Sequence, residues 1–300
     1  MYRRNSIYGN EDRIILDIGS RFVKAGFSGE PKPRVIKASS PSNITPDLFY
    51  LNLQEAEDLE FNLGQLLRTI FHSHLLTDPK QRKVLICESV YLPLELKKLI
   101  TSVLFWNLQV PSVTFLSSSI LALSTLGKTS GVVVDCGNLE TSMIPVYDLR
   151  PIIPYSKSIP LAGRSVTSRI LLLLKNHARA ICTERKDDMN PTELSHKMLR
   201  EITVEKLEDF KIRFCSVSNF SANFKELHKD GYKVYESTKE DIKYPLDINT
   251  KLLIPSWIAE RAFEVLFEAD SEDNSIPSVV LDLLINVINY ELFITEKILF

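Results

Sequence analysis

Ile14-Ile15-Leu16-Asp17-Ile18-Gly19-Ser20 decides the fold, because the chain writes this phrase twice. The second copy, Val132-Val133-Val134-Asp135-Cys136-Gly137-Asn138, stands 118 residues later. Each copy is an apolar run, then Asp-x-Gly, then a second strand-like run: Phe22-Val23-Lys24-Ala25-Gly26-Phe27 after the first, Thr141-Ser142-Met143-Ile144-Pro145-Val146 after the second. A short run rich in Val and Ile predicts a buried strand. The Gly permits a tight turn and a close backbone approach to a ligand, and successive amides in such a turn form a concavity that suits phosphate oxygens. An Asp at the strand end can hold Mg²⁺, mostly through water. Lys24 lies seven residues after Asp17, where it can return across the hairpin toward a phosphate. A single Asp-x-Gly is an ordinary turn signal. Two copies with matching flanks predict two related lobes whose hairpins face each other across a cleft and hold the phosphates and metal of a nucleotide.

Composition narrows the remaining classes. Three hundred residues, 44% of them hydrophobic, can bury a sizeable core in one or two domains. A net charge of −2 gives no case for a basic nucleic-acid-binding face. The four cysteines, Cys87, Cys136, Cys182 and Cys215, lack metal-ligand spacing, and Cys87 and Cys136 read as reduced core residues of a cytosolic protein. No apolar stretch approaches membrane-spanning length, and the charged N-terminus has no signal-peptide core.

Strand and helix signals alternate along the chain, which predicts α/β lobes with partly parallel sheets. Residues 13–27 read as a hairpin. Asn62–Ser73 reads as a helix with Leu63, Leu66, Leu67, Ile70 and Phe71 on one face. Val84–Val90 reads as a buried strand, Leu96 to Leu104 as a helix, Val113–Leu116 as a strand and Ser119–Leu126 as a short apolar helix. Val166–Ala180 predicts an amphipathic helix, Glu184–Thr192 a charged linker, Lys225–Lys243 a polar, exposed excursion, and Ala259 to Phe267 one more helical stripe. Phe105-Trp106 is expected to pack in the core, and Glu268–Asp273 to form a solvated loop. His72 and His74 point to different faces of a helix and are not expected to share a metal.

The residues from Leu16 to Ser20 and from Lys24 to Glu30 resemble the first phosphate loop of the actin family, and Gly131–Gly137 resembles its second. Pro160-Leu161-Ala162-Gly163-Arg164 is similar to the signature that opens a helix in that family's second lobe, and Phe210–Cys215 to its adenine-side helix. The resemblance implies an actin-like α/β fold with two lobes, of the actin, sugar-kinase and heat-shock ATPase superfamily. Residues 1–145 would be the first lobe with a reduced small subdomain, and 146–300 the second lobe. Ending on Lys297-Ile298-Leu299-Phe300, an apolar strand-like run, suggests a C-terminally incomplete form. The implied cofactor site is a degenerate ATP site: Asp17, Gly19, Ser20, Lys24, Asp135, Gly137 and Lys211, holding ATP or ADP with Mg weakly or not at all. No catalytic residue and no resident metal site are expected.

The departures from the family pattern set the functional expectation. Where actins place a Gln that positions the attacking water, the matching residue here is Ser118. The second loop carries Asn138 and Leu139 in place of an acid and a Gly, and Glu140 adds a negative charge beside an anion site. Arg21 either pairs with a phosphate or takes the place of one, and Ile212 replaces an acid on the adenine side. Within the family, Leu75-Leu76-Thr77-Asp78-Pro79, Val84–Val90 and Ile242–Asp247 resemble an actin-related subunit at the pointed end of dynactin. That implies a non-catalytic cap on dynactin's actin-like filament, with other dynactin subunits as partners and dynein served indirectly, in the cytoplasm and cytoskeleton. The alternatives are an ATP-binding actin-related subunit of a chromatin-remodelling complex and a sugar-kinase-like enzyme.

Overall fold

The computed structural model describes residues 13–38, 56–182, 192–193, 201–217, 226–229, 232–235, 239–268 and 274–298. The chain divides into two compact units. The first takes in Met1–Asn138, Ser142–Ser158 and Ile285–Phe300, and the second Leu139–Thr141 and Ile159–Leu284.

The first unit is built on a five-stranded sheet. Strands β1 (Arg13–Ile18), β2 (Phe22–Phe27) and β3 (Val35–Ala38) form an antiparallel meander. After α1 (Ala56–Thr69), β4 (Lys83–Glu88) pairs parallel to β1; after α2 (Leu94–Ser102), β5 (Val113–Ser117) pairs parallel to β4. The order is β3-β2-β1-β4-β5, which makes β1 the central strand. The apolar faces of the two helices meet the sheet: Leu63, Leu67, Ile70, Phe71, Leu96, Ile100, Val103 and Leu104 pack with Ile14, Leu16, Val84 and Ile86 in one core. Each such side chain contributes about 1.5–3 kcal/mol on leaving water.

Both helices end in the same way. A five-residue π turn, Ile70–His74 after α1 and Val103–Asn107 after α2, closes with a bond from Leu75 N–H to the Ile70 carbonyl (2.8 Å) and from Leu108 N–H to that of Val103 (3.1 Å). Each is followed by a non-glycine residue in the left-handed region, Leu76 at φ 51° and Gln109 at φ 56°, a conformation uncommon outside glycine.

A short helix, α3 (Ser118–Thr125), leads to a second sheet of β6 (Gly131–Cys136), β7 (Thr141–Tyr147), β8 (Arg150–Pro151) and β9 (Lys157–Ile159). The sequence predicts a buried β6. The structure places it at the edge of this sheet, with β7 as its only strand neighbour among the described residues, and leaves Val134 and Cys136 exposed. An apolar run is buried only when neighbours cover it, and here a small cluster of Leu123, Ile144 and Val146 covers Val133 in part.

In the second unit α4 (Gly163–His177) begins three residues before the predicted Val166, within the Pro160–Arg164 signature. It stops before the predicted Ala180, because Arg179–Cys182 (β10) pairs with a later strand instead. β10, β11 (Thr192–Glu193), β14 (Ile242–Pro245) and β15 (Thr250–Ile254) form an antiparallel sheet in the order β11-β10-β15-β14. Helix α5 (Val204–Phe214) and the turn of α6 (Ser256–Arg261) complete a core that includes Val166, Ile170, Leu174, Phe210, Tyr244, Leu252 and Trp257. The polar excursion contains a hairpin, β12 (Glu226–Lys229) with β13 (Tyr232–Tyr235). The charged linker falls outside the described residues through 191. The strand-like terminus differs from expectation: Lys297 and Ile298 close a long helix, α7 (Ile276–Ile298).

Candidate functional site

The first hairpin builds the site from its register. Asp17 and Lys24 are cross-strand partners in the β1–β2 pair, so their side chains leave the same face of the sheet. They meet there: Lys24 Nζ donates to Asp17 Oδ2 at 2.8 Å, with both groups about half exposed. A pair this open contributes about 0.2–1 kcal/mol. The turn between the strands closes by a bond from Gly19 N–H to the Phe22 carbonyl at 3.0 Å. A β-carbon at Gly19 would sit 3.0 Å from that same oxygen, so close approach rather than backbone conformation fixes glycine here.

The second hairpin's turn reaches the first. Asn138 Nδ2 donates to Ser20 Oγ at 3.2 Å. Asp135 lies near enough to act on Lys24, whose ammonium is held above its ordinary value first by the hydrogen bond it donates to Asp17, against the effect of burial, with the charges of Asp17, Asp135 and Cys87 adding to it. The structure thus brings together Asp17, Ser20, Lys24 and Asp135 of the predicted set. Gly19 lies in the first turn, and Gly137 is exposed in the second. Arg21 extends past the Phe22 ring at 5.7 Å, and its Nε is shielded from solvent without a partner among the described residues.

Lys211 belongs to the second unit, where it binds its own surroundings. Its ammonium donates to the Gly163 carbonyl (3.2 Å), Thr167 Oγ1 (2.9 Å) and Glu208 Oε1 (2.7 Å). Thr167 Oγ1 also contacts Glu208 Oε1 at 2.7 Å. An ammonium has three protons, and all three have acceptors, so Lys211 ties the first turn of α4 to α5.

Sequence reasoning missed one neighbour of the cradle. Cys87, expected in the core, is the parallel cross-strand partner of Asp17. Burial pushes its thiol up, with Asp17 adding to the effect and Lys24 opposing it. The signal that could have found it is the position of Cys87 near the end of a strand that pairs with the Asp17 strand. Ser118 opens α3 between Ser117 and Ser119, whose hydroxyls bond each other at 2.8 Å.

Asp17 and Asp135 are carboxylates of the kind Mg²⁺ takes through water. Lys24, the one ammonium at the turns among the described residues, is already committed to Asp17, and the Ser20 hydroxyl to Asn138. A nucleotide would have to break both contacts. Among the described residues no group of three or more His, Cys, Asp or Glu side chains could hold a metal ion, and no helix is long and apolar enough to cross a membrane.

A hairpin of this type, on a mixed sheet and met by a second Asp-x-Gly turn, is the arrangement of an actin-like fold. The actin family model matches residues 57–265, and the chain belongs to the actin family. That range takes in the second turn and Lys211 and leaves the first hairpin outside. Among relatives, the chain is 27% identical over 262 residues to Actin-related protein 10 of Dictyostelium discoideum, covering 75% of this chain and 54% of the relative. It is 26% identical over 212 residues to Centractin of Schizosaccharomyces pombe, covering 61% of this chain and 55% of that protein. The chain therefore spans about half the length of the relatives it matches.

Proposed function

We propose that this chain is a non-catalytic structural subunit that caps the pointed end of dynactin's actin-like filament and, through dynactin, serves dynein-driven transport on cytoplasmic microtubules. The likeness to an actin-related protein 10 and to a centractin supports that branch of the family. The observation that carries the non-catalytic half is Ser118 at the head of α3, where the family resemblance requires a glutamine. Water positioning and charge stabilisation supply most of phosphoryl-transfer catalysis, and a single hydroxymethyl group is too short to hold the attacking water in the same geometry. The engaged cradle, with Lys24 on Asp17 and Asn138 on Ser20, supports weak nucleotide binding or none. Capping follows from the asymmetry of a head-to-tail contact, which keeps adding subunits until one end presents no face for the next.

Two measurements test this reading. Purified protein with Mg–ATP is expected to show no turnover; turnover at the rate of a filament-forming relative, lost in Asp135→Ala, refutes the structural role. Cross-linking mass spectrometry in cells is expected to find dynactin subunits, and recovery of chromatin-remodelling subunits without dynactin ends the capping proposal.

A further inference from the structure

The end of the five-stranded sheet away from the cradle carries a charge pattern that the fold itself does not use. Strand β1 starts there with Arg13 and β4 with Lys83, and the two are parallel cross-strand partners. Their side chains leave the same face side by side, and both residues are exposed. Like charges in that position oppose strand pairing. The connections at this end add to them. Lys32 and Arg34 lie in the link between β2 and β3, and Lys80 and Arg82 in the turn that leads into β4. Across residues 27–34 and 76–83 the carboxylates are Glu30 and Asp78.

Both carboxylates are engaged by the local backbone. Glu30 Oε2 accepts from the Phe27 N–H at 3.2 Å, while its Oε1 accepts from Arg34 Nε at 2.7 Å. Asp78 Oδ1 accepts from the Lys80 N–H at 3.1 Å and holds the turn before β4. Arg34 and Arg82 lie 4.5 and 5.5 Å from the centroid of the Phe27 ring. The side chains of Arg13, Lys32, Lys80 and Lys83 have no carboxylate within ion-pair reach among the described residues. A chain of net charge −2 thus gathers unneutralised cations at one end of one sheet, and the summed field there favours an anionic partner.

One apolar side chain stands beside them. Leu76 is 81% exposed and sits in the left-handed region at φ 51°. The next residue is fixed: Thr77 N–H donates to the Phe71 carbonyl at 3.0 Å, and its hydroxyl accepts from Arg82 Nε at 2.9 Å. A held apolar anchor beside separate cations matches a polypeptide that carries both carboxylates and apolar side chains. It matches a nucleic acid poorly. A continuous phosphate track would meet exposed Asp78, and a base would find the Phe27 ring already flanked by Arg34 and Arg82.

We propose that this end of the first unit's sheet is a docking surface for an acidic segment of another polypeptide, whose carboxylates pair with Arg13, Lys80 and Lys83 while an apolar side chain packs on Leu76. The role goes beyond filament capping and does not depend on it.

The test places a benzophenone amino acid at Leu76 in the full chain, in cells, and maps the cross-linked product by mass spectrometry. The same amino acid at Trp106 sets the background. Trp106 and Phe105 are exposed, contrary to the core packing expected from the sequence, and the neighbouring Lys97 and Lys98 are already paired with Glu88 and Glu95. The expected product is a peptide segment of net negative charge, in higher yield than at Trp106 and about tenfold reduced by Lys83→Glu and by Lys80→Glu. Lys83→Glu sets opposite charges side by side with Arg13, so the melting temperature is expected to hold or rise while the cross-link is lost. The matching synthetic peptide is expected to bind the purified chain with an affinity that falls steeply with salt, and a charge-reversed version is not. A yield no greater than at Trp106 overturns the proposal, as does indifference to Lys83→Glu. So does a cross-link to nucleic acid, to lipid, to a basic segment, to residues 1–12 of the same chain or to a second copy. An acidic segment from outside dynactin upholds the docking surface while counting against the capping reading.

Discussion

Lys211→Met separates a structural lysine from a nucleotide ligand. In the folded chain the ammonium serves three acceptors, and the side chains of Lys211 and Glu208 are only 14% and 10% exposed. Methionine keeps the length of the stem and removes the charge. Glu208 is then left as a buried carboxylate with only the Thr167 hydroxyl to satisfy it. Breaking a buried pair from one side costs about 3–5 kcal/mol. The surviving hydroxyl bond and the slight water access place this case at the low end, about 3 kcal/mol. For a unit of this size that lowers the melting temperature by about 10 °C.

The assay is a fluorescence melt near neutral pH. The protein has two tryptophans, and they report separately: Trp257 is 5% exposed in the core of the second unit, whereas Trp106 is solvent-facing in the first. The Trp257 transition should fall by about 10 °C. Adding Glu208→Gln to Lys211→Met removes the stranded charge and should recover most of that loss, because replacing both members of a buried pair is often close to neutral. Were Lys211 a nucleotide ligand instead, Lys211→Met would leave the nucleotide-free melt unchanged and abolish only a stabilisation by added ATP. That pattern, or a Trp257 transition within 2 °C of the unmodified protein, refutes the tie between α4 and α5.

Three further outcomes follow from the geometry. Burial first, then the hydrogen bond to Asp209, raises the Tyr244 hydroxyl from 10.0 to about 12; a group raised on folding stabilises fully below its unfolded value, so this contribution should hold below pH 10 and fade between 10 and 12, and Tyr244→Phe should remove the late step from an ultraviolet titration. Alkylation by iodoacetamide followed by mass spectrometry should modify exposed Cys136 before Cys215, because burial pushes the Cys215 thiol up to about 12; equal rates at the two would contradict the described burial. Val134→Lys, at a position 45% exposed on the edge strand β6, should reduce aggregation in light-scattering assays without lowering the melting temperature, since a charge on an open edge discourages strand pairing.

Much of the first unit was legible because its signals are local. The β1–β2 hairpin follows from alternation and a turn glycine, and the partnership of Asp17 and Lys24 follows from register alone. The helices over Leu63–Phe71 and Leu96–Leu104 follow from apolar spacing. What local signals omit is neighbours. Leu99, Ile100, Val103 and Leu104 correctly predict a helical face, but nothing in Phe105-Trp106 announces that a π turn rotates the next residues outward. Lys211 could be aligned to a family position, yet its commitment to Thr167 and Glu208 depends on two helices meeting 41 residues apart in sequence. Cys87 reads as an ordinary core residue until β4 is laid beside Asp17.

The two Asp-x-Gly copies make the same point against each other. Ile14–Ile18 and Val132–Cys136 carry nearly the same pattern, yet Ile14 and Leu16 are fully buried while Val134 and Cys136 face solvent. The difference lies outside both strings. β1 has β2 on one side and parallel β4 on the other, with α1 and α2 packed over the sheet; among the described residues β6 has β7 alone. An uninterrupted β-branched run reports that a strand can be covered on both faces, and the sheet order decides whether it is. The turns depend less on that cover, because Asn138 and Ser20 bond each other through side chains beyond the strand ends. The cradle therefore keeps its shape even though one of its two strands lies at a sheet edge. On the reading proposed above, such a site is retained as scaffold, with Ser118 standing where the family resemblance places a glutamine.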